Sequence, residues 1–268
     1  MTWPARPSDP PIRRLDLPHG PAAVTDEGTG PAVLAIHGLP GSRFDFRWLA
    51  PALPGVRLVR VDLPGFGQTP ASLAGPAIDE QTAYLKEVLD ALGVVRPVIL
   101  AHSFGAGIAA HLAHDLGPLA RGLAVLAPAG LVPHSLLRYR RVVRAIGRAA
   151  RTPGLGWTVG HMLVPPYRAV GFRHASAAEA RRTFSVVGAW DYASTRHVAS
   201  ALGARKLPGL VAMAQDDPIV EPPCMQAWAH ALGVRPLTFP TGGHTLQKTR
   251  ASEIGGALCA WLDGLPPP

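Results

Sequence analysis

A serine stands at the end of an apolar run in the segment VILAHSFGAG, residues 98–107. A strand buried in a sheet needs no hydroxyl at its end, whereas an enzyme nucleophile does. Ala101 and Gly105 lie two positions before and two positions after Ser103, where a tight turn from strand to helix requires small side chains. The pattern A-H-S-F-G is therefore a variant of the G-x-S-x-G turn that presents a serine nucleophile, with alanine in the first position.

A serine hydroxyl becomes a good nucleophile only when a base removes its proton, and histidine has a suitable pKa for this at neutral pH. Of the eleven histidines, His244 directly follows the last apolar run, in the glycine-rich segment TGGH. His37 and His102 are its main competitors. We expect His37 to have a structural hydrogen-bonding role, and the side chain of His102 to point away from the position of a base. The remaining histidines are expected to be solvated or hydrogen-bonded.

The histidine that forms the base needs a carboxylate to orient it and to stabilise its charged form. The segment QDDPIVE supplies Asp216, Asp217 and Glu221, at the end of the preceding apolar run. We favour Asp217, because it immediately precedes Pro218 at the position where the chain turns. Asp216 is the alternative, and Glu221 is a weaker third candidate.

Two backbone N–H groups are candidates for an oxyanion hole. The first belongs to Phe104, since the amides at the N-terminus of the helix after Ser103 point toward an oxyanion formed there. The second is expected in the loop H-G-L-P-G-S, residues 37–42, which follows the apolar run AVLAI. We assign it to Leu39, because the next residue, Pro40, has no N–H to donate.

Short apolar runs alternate along the chain with segments of helical pattern. Their nearly continuous hydrophobicity is typical of strands that are buried on both faces of a parallel sheet, and the alternation with helices predicts an α/β fold. The strand-like runs are 32–38, 56–67, 97–103, 121–130, 208–217 and 235–244. The helical segments are roughly 77–92, 105–116, 221–232 and 249–263, and the weak alternation over 12–27 predicts an antiparallel hairpin at the edge of the sheet. In such a sheet, sites form at the carboxyl ends of the strands.

Residues 131–207 interrupt this pattern, because they are rich in arginine and aromatic residues and have no strand signals. We predict a helical cap here, inserted after the sixth strand, between the two parts of a core domain, 1–130 and 208–268. Its large side chains are expected to pack the cap against the core, with some lining a pocket. They are Trp157, Met162, Tyr167, Phe172, Phe184, Trp190 and Tyr192.

The formal charge of the chain is +8, and its most basic segment is 136–151. Helical spacing there separates an apolar set from an arginine set. The apolar set is Tyr139, Val142, Val143, Ile146 and Ala150, and the arginines are Arg140, Arg144, Arg148 and Arg151. The simplest interpretation is the solvated face of a surface helix. Attraction of an anionic substrate or of a membrane surface is the alternative, and no nucleic-acid partner is expected.

The length of 268 residues fits one large domain with an insertion. No apolar run has the length of a membrane span, and the Pro- and Arg-containing N-terminus lacks the apolar stretch of a signal peptide. We therefore expect a cytoplasmic protein without integral membrane association, with a loose leader of about ten residues. Cys224 and Cys259 have no metal-binding spacing and are expected to be reduced.

Five motifs occur together in the chain: H-G-L-P-G-S, D-L-P-G-F-G at 62–67, A-H-S-F-G, D-D-P-I-V and G-G-H. Together they resemble the α/β-hydrolase superfamily, and specifically its capped serine-hydrolase branch, from about residue 12 to 263. The order Ser103, Asp217, His244 matches the arrangement of that superfamily. The D-L-P-G-F-G segment resembles a structural loop of the family, in which Asp62 is a candidate anchor.

The resemblance implies a carboxylesterase-like serine hydrolase that cleaves small to medium hydrophobic esters through an acyl-enzyme. Epoxide hydrolases and haloalkane dehalogenases of this superfamily have aspartate where this chain has Ser103. No metal or organic cofactor is implied. The same triad also serves C–C bond hydrolases, lactonases and acyltransferases, while peptidase activity is a minority interpretation. A receptor-like, non-catalytic ligand-binding protein is the alternative from a different class.

Overall fold

The computed structural model describes residues 7–18, 20–169, 172 and 175–266. Eight strands form one sheet. In chain order they are β1 (Arg13–Leu17), β2 (Gly20–Glu27), β3 (Ala32–Ile36), β4 (Arg57–Val61), β5 (Val98–His102), β6 (Gly122–Leu126), β7 (Gly209–Ala214) and β8 (Leu237–Phe239). Their order across the sheet is β1-β2-β4-β3-β5-β6-β7-β8. Strand β2 is antiparallel to β1 and β4, and the other neighbours are parallel.

This sheet confirms the predicted α/β class, its mostly parallel arrangement and the antiparallel hairpin over residues 12–27. Strands β5 and β6 lie near the middle of the sheet and are buried along their whole length. Burial of both faces explains why these strands are continuous apolar runs without alternation.

Nine α-helices occur in the described part of the chain. They are α1 (Ile78–Ala91), α2 (Gly105–Leu116), α3 (Arg140–Arg151), α4 (Leu155–Ala169), α5 (Ala177–Ala189), α6 (Tyr192–Ala204), α7 (Pro222–Leu232), α8 (Leu246–Thr249) and α9 (Ala251–Asp263). Helices α1, α2, α6 and α7 contact one another in series, and α9 packs against β7. The predicted helices over 77–92, 105–116, 221–232 and 249–263 correspond to α1, α2, α7 and α8–α9.

The inserted segment, residues 131–207, contains α3 to α6 between β6 and β7. Helices α3, α4 and α5 contact one another, whereas α6 packs against α2 and α7 of the layer beside the sheet. Local signals start two of these helices: the Ser176 side chain accepts a hydrogen bond from the Glu179 N–H, and Asp191 accepts from Ala193 and Ser194. The part of the insertion that packs as a separate group is therefore α3–α5.

The expectation that the large side chains of the inserted segment pack against the core is wrong for two of them. Trp157 and Met162 do not pack against the core, because their positions on α4 face outward, and their side chains are 68% and 71% exposed. Tyr139, which precedes α3, and Val142 within it are also exposed, while Val143, with two small residues of the same helix, forms the buried face. Small residues are buried here because α3 approaches α5 closely.

The predicted loose leader is also partly wrong. Residues 1–6 lie outside the described part of the chain, but the Asp9 carboxylate pairs with Arg60 and Arg47, each at 3.1 Å. Because Arg60 is almost fully buried, its charge requires such a counter-ion. The chain is therefore held in place before β1 begins.

Within the described ranges, no helix combines the length and the apolar composition needed to cross a bilayer. Cys224 and Cys259 are both free. The loop after β4 is anchored as expected, since Asp62 accepts hydrogen bonds from the N–H groups of Arg43 at 2.7 Å and Gln68 at 2.9 Å and pairs with the buried Arg43 side chain.

Candidate active site

Ser103 occupies the turn between β5 and α2, at the carboxyl edge of the sheet. Its φ of 53° lies in the left-handed region, which is strained for a residue with a side chain. Hydrogen bonds hold this conformation, because the Ser103 N–H donates to the Leu126 carbonyl at 3.0 Å and its own carbonyl accepts from the Ala129 N–H at 3.1 Å. Gly105 is required here, since a Cβ at this position would lie 2.5 Å from the carbonyl oxygen of His37.

His244 and Asp217 complete a chain of hydrogen bonds to this serine. Nε2 of His244 lies 3.0 Å from Ser103 Oγ, and Nδ1 of His244 lies 2.8 Å from Asp217 Oδ2. All three residues are more than nine-tenths buried. The structure thus brings together the three residues that the sequence predicted as nucleophile, base and orienting acid, in a geometry that can move a proton from the hydroxyl to the imidazole.

The second carboxylate oxygen of Asp217 is also satisfied. Oδ1 accepts from the backbone N–H groups of Ile219 at 2.8 Å and Val220 at 3.0 Å. Burial alone raises the pKa of Asp217, but the hydrogen bond and charge of His244 together with these two N–H groups outweigh it, so that the pKa lies below its usual value. The carboxylate is therefore held ionised and fixed in orientation.

The other two carboxylates of this segment have different partners. Asp216 Oδ1 accepts from the N–H groups of Gly242 and Gly243, both at 2.8 Å, and so fixes the loop that carries His244. Glu221 accepts from the N–H of Ser135 at 3.0 Å, which ties the start of the inserted segment to the core. Neither carboxylate contacts His244.

The two candidate oxyanion donors lie beside Ser103. Leu39 and Phe104 both line the cavity into which Ser103 opens. Within the described chain, neither backbone N–H donates a hydrogen bond to another residue. His37 stabilises the loop that carries Leu39: its Nε2 accepts from the Leu63 N–H at 2.9 Å, and its Nδ1 donates to the Gly38 carbonyl at 2.7 Å. Burial lowers the pKa of His37, so this neutral form is favoured.

The position of His102 differs from the expectation that it points away from the base. Its ring centroid lies 4.8 Å from that of His244, and its Nε2 donates to the His244 carbonyl oxygen at 2.8 Å. Burial lowers its pKa to about 3, so the ring is neutral at physiological pH. His102 thus holds the backbone of His244, a contact between residues 142 positions apart that no local pattern predicts.

A cavity of about 350 Å³ lies above Ser103 and His244. Most of the described residues that line it come from the inserted segment, and most are apolar. Those from the insertion are His134, Leu136, Leu137, Ile146, Leu163, Pro166, Tyr167, Phe172, Thr183, Phe184 and Val187. Tyr167 packs against both Phe172 and Phe184, and all three line the cavity, which agrees with the expectation that some aromatic residues line a pocket.

Trp190 and Tyr192 are buried and do not line this cavity. The Trp190 ring packs edge-on against Phe104 at 4.9 Å, and its Nε1 donates to the Gly130 carbonyl at 2.9 Å. Arg182 of α5 adds a second connection, because its guanidinium donates to the carbonyl of Pro64 at 2.8 Å. The inserted segment is thereby attached to the core at two separate places.

His134 is a polar residue of the cavity that the sequence analysis did not single out. It is 95% buried, and within the described chain its Nδ1 has no hydrogen-bonding partner. Burial lowers its pKa to about 4, although the charge of Glu221 acts in the opposite direction. Its place shortly after β6, at the carboxyl edge of the sheet, is the signal that would have indicated it.

Among the described residues, no cluster of His, Cys, Asp or Glu could hold a metal ion. The polar groups of the cavity are the serine and histidine side chains already described, together with Thr183 and Tyr167. Burial raises the pKa of Tyr167 well above its usual value, so its hydroxyl stays protonated.

The family model of the α/β hydrolase fold matches residues 31–150. The chain is 30% identical over 262 residues to the "Putative carbamate hydrolase RutD" of Variovorax paradoxus, covering 91% of this chain and 94% of that protein. It is 25% identical over 304 residues to a haloalkane dehalogenase of Bradyrhizobium diazoefficiens, covering 97% of each. Some matches are partial: the chain spans 28% of the length of one curated relative.

Solved structures share the fold. A thermophilic esterase from Thermogutta terrifontis superposes with a TM-score of 0.73, covering 95% of this chain and 98% of the esterase. The two sequences are 20% identical, so this similarity shows a common fold and leaves the substrate open.

Proposed function

The chain belongs to the α/β-hydrolase fold family, and from this premise we propose that it is a serine hydrolase that cleaves carboxylic esters with small to medium hydrophobic groups. One observation carries the proposal: Ser103, His244 and Asp217 form a hydrogen-bonded chain at the base of a largely apolar cavity. In this proposal Ser103 is the nucleophile, His244 the base, and Asp217 the residue that orients the imidazole.

The first half of the reaction forms an acyl-enzyme. His244 Nε2 removes the proton of Ser103 Oγ as the oxygen attacks the ester carbonyl, and Asp217 stabilises the resulting imidazolium. The backbone N–H groups of Phe104 and Leu39 stabilise the oxyanion of the tetrahedral intermediate, and such a donor contributes about 3–4 kcal/mol. His244 then protonates the alcohol as it leaves.

The second half returns the enzyme to its starting state. Water enters the position of the alcohol, His244 removes a proton from it, and the hydroxide attacks the acyl group on Ser103. The same two N–H groups stabilise the second tetrahedral intermediate, which collapses to the free acid and the serine hydroxyl. The original serine proton has left with the alcohol, and His244 gives the proton taken from water to Ser103 Oγ, so serine and imidazole both return to their starting forms.

The inserted segment acts as a cap in this proposal. Its helices α3–α5 supply most of the cavity wall, so they select the group that fits and exclude bulk water from the acyl-enzyme. A volume of about 350 Å³ is at the small end of ligand pockets, which favours a small to medium substrate. The apolar lining favours a hydrophobic acyl or alcohol group over a charged one.

Carbamate hydrolysis is the second candidate, because the Variovorax relative carries that activity in its name. The same three residues would serve, with the carbamate carbonyl in the place of the ester carbonyl. The apolar wall gives an N–H group of a carbamate few partners, and this favours the ester. Dehalogenation is not proposed, since the resemblance assigns an aspartate nucleophile to those enzymes and this chain has Ser103.

A fluorophosphonate probe tests the proposal, together with p-nitrophenyl esters of increasing chain length and a matched carbamate. Covalent modification of Ser103, located by peptide mass spectrometry, and faster turnover of esters than of the carbamate are expected. Ser103→Ala should fold normally and lose roughly 10⁴- to 10⁶-fold of kcat. The exposed Ser200 provides the matched control, and Ser200→Ala should keep full activity. Labelling elsewhere, or activity retained by Ser103→Ala, would refute the assignment.

A further inference from the structure

Positive charge is concentrated in the inserted segment. Residues 131–207 contain thirteen Lys and Arg residues but two acidic ones, which gives +11, whereas the formal charge of the whole chain is +8. The rest of the chain is therefore negative by three charges. Residues 131–178 contain eight arginines and neither Asp nor Glu. A basic composition common to the whole protein would not produce this separation of charge.

Exposed apolar side chains occur in the same segment. Within the described part of the chain, nine large hydrophobic residues are exposed, and six of them lie between residues 136 and 162. These six are Leu136, Tyr139, Val142, Leu155, Trp157 and Met162. A cluster of exposed apolar side chains is uncommon on the surface of a soluble protein and usually marks a binding surface.

Helices α3 and α4 carry these residues on the outside of the molecule. Each of the two helices buries only three residues, whereas the neighbouring α5 buries six. Arg141, Arg144 and Arg148 of α3 are exposed, and no ion pair or side-chain hydrogen bond engages them within the described ranges. The outer surface of α3 and α4, with the turn 135–137 that precedes α3, is here called the basic–apolar face.

We propose that the basic–apolar face binds the surface of an anionic phospholipid bilayer. Arginine guanidinium groups bind lipid phosphates electrostatically, and exposed Trp, Tyr and Leu side chains insert at the boundary between headgroups and acyl chains. A polyanion such as double-stranded DNA would use the arginines and leave the apolar side chains in water. The combination therefore fits a lipid surface better than a nucleic acid.

The cavity opens at the basic–apolar face, and this connects membrane binding to the substrate. This step rests on the proposed ester hydrolysis. Leu136 and Pro166 line the cavity and are also exposed to solvent, so the cavity reaches the surface between the turn 135–137 and the C-terminal end of α4. A bilayer at the basic–apolar face would lie against this opening. The substrate class would then be an amphiphilic ester that moves from the bilayer into the cavity without crossing water.

Vesicle sedimentation tests the binding without any turnover. Wild-type protein and Ser103→Ala should both bind phosphatidylcholine vesicles that contain about one third phosphatidylglycerol, and both should bind pure phosphatidylcholine far more weakly. Raising the salt concentration from about 0.1 M to about 1 M should screen the arginines and release most of the protein that is held on the vesicles by charge. Because Ser103→Ala is included, binding is measured even if the protein hydrolyses no ester.

Two pairs of variants locate the surface. The double variant Arg141→Gln/Arg148→Gln should weaken binding to the anionic vesicles about 30-fold. Arg14→Gln/Arg235→Gln removes the same charge from exposed positions of the core and should change binding less than about threefold. Trp157→Ala should weaken binding about tenfold, and Val95→Ala, at an exposed apolar position of the core, should have no effect.

Three outcomes would overturn the proposal. The first is absence of binding of the folded protein to the anionic vesicles at low salt. The second is equal weakening by the two double variants, which would mean a general attraction of a basic protein. The third is binding to double-stranded DNA that is as tight as to vesicles and unaffected by Trp157→Ala, which would assign the surface to a nucleic acid.

Discussion

At the carboxyl edge of the sheet, Ser103, His244 and Asp217 are almost fully buried and joined by hydrogen bonds of 2.8–3.0 Å. Across the cavity, α3 and α4 expose Trp157 and Met162 to solvent and carry arginines without acidic neighbours. The side chains of the first region are polar and joined to one another by hydrogen bonds, while the second region is apolar toward the cavity and carries both arginines and apolar side chains on its outer surface. In the proposed function this difference separates two tasks, with bond cleavage at the sheet edge and substrate selection by the inserted helices.

Substitutions in the two regions should have different effects on the kinetics. Changes at the sheet edge should lower kcat for every substrate, because they affect atoms that all substrates share. Changes of the side chains of α3–α5 that line the cavity should alter the ranking of substrates while the reaction itself continues. A variant of the insertion that abolished turnover of all esters in a folded protein would contradict this division of roles between the two regions.

After Ser103→Ala, the largest loss of activity is expected at Asp217, and the adjacent Asp216 provides the comparison. Asp217→Asn should lower kcat about 10⁴-fold, since the amide favours the wrong tautomer of His244 and does not stabilise its charged form. Asp216→Asn should cost less than about tenfold, because its amide oxygen still accepts from Gly242 and Gly243. Steady-state kinetics on one p-nitrophenyl ester compares them, and the reverse ranking would transfer the role of acid to Asp216.

A smaller loss is expected at His102, which positions His244 through its carbonyl oxygen. His102→Phe removes this hydrogen bond and should lower kcat about 10- to 100-fold with little change in KM, since displacement of the base by a fraction of an ångström is sufficient. His102→Gln keeps an N–H donor and should recover part of the loss. If both variants lower only the melting temperature and leave kcat intact, His102 has a structural role alone.

The inserted helices are tested through Phe184, which packs against Tyr167 in the cavity wall. Phe184→Ala enlarges the cavity and should raise kcat/KM for a long acyl chain relative to a short one by about tenfold. This is the effect on kcat/KM expected when a few more methylene groups of the substrate are buried. Trp157→Ala removes an exposed aromatic residue of the same segment and should leave this ratio unchanged for esters in solution. Equal ratios in both variants would place the selection of substrate outside the inserted helices.

The smallest effect concerns acid stability. Burial lowers the pKa of His134 from 6.5 to about 4, so between these values the unfolded chain binds a proton that the folded chain does not. The contribution of His134 to stability is therefore complete above pH 6.5 and is lost as the pH falls toward 4. His134→Gln should reduce the fall in the free energy of unfolding between pH 6.5 and 4.5 by about 1–3 kcal/mol. Urea unfolding measures it, with His161→Gln, at an exposed position, as the control that should match the wild type.

Much of the fold followed from the sequence because its signals are local. Buried parallel strands are short apolar runs, and the helices between them have their own periodicity, so the α/β class and four core helices were predicted close to their observed bounds. The candidate site followed for the same reason, since residues directly after parallel strands meet at one edge of the sheet. Ser103, Asp217 and His244 all stand in such positions.

The tertiary structure alone decided which faces of the inserted helices are covered. The sequence identifies Val142 and Trp157 as apolar, but their exposure depends on how α3 and α4 pack against α5. The contact between His102 and the backbone of His244 likewise joins two distant segments. By itself the sequence determined the elements and the residues at the ends of the strands, because backbone geometry and periodicity are local. Packing between helices depends on partners far along the chain, and it determined the shape of the cavity and the outer surface of the insertion.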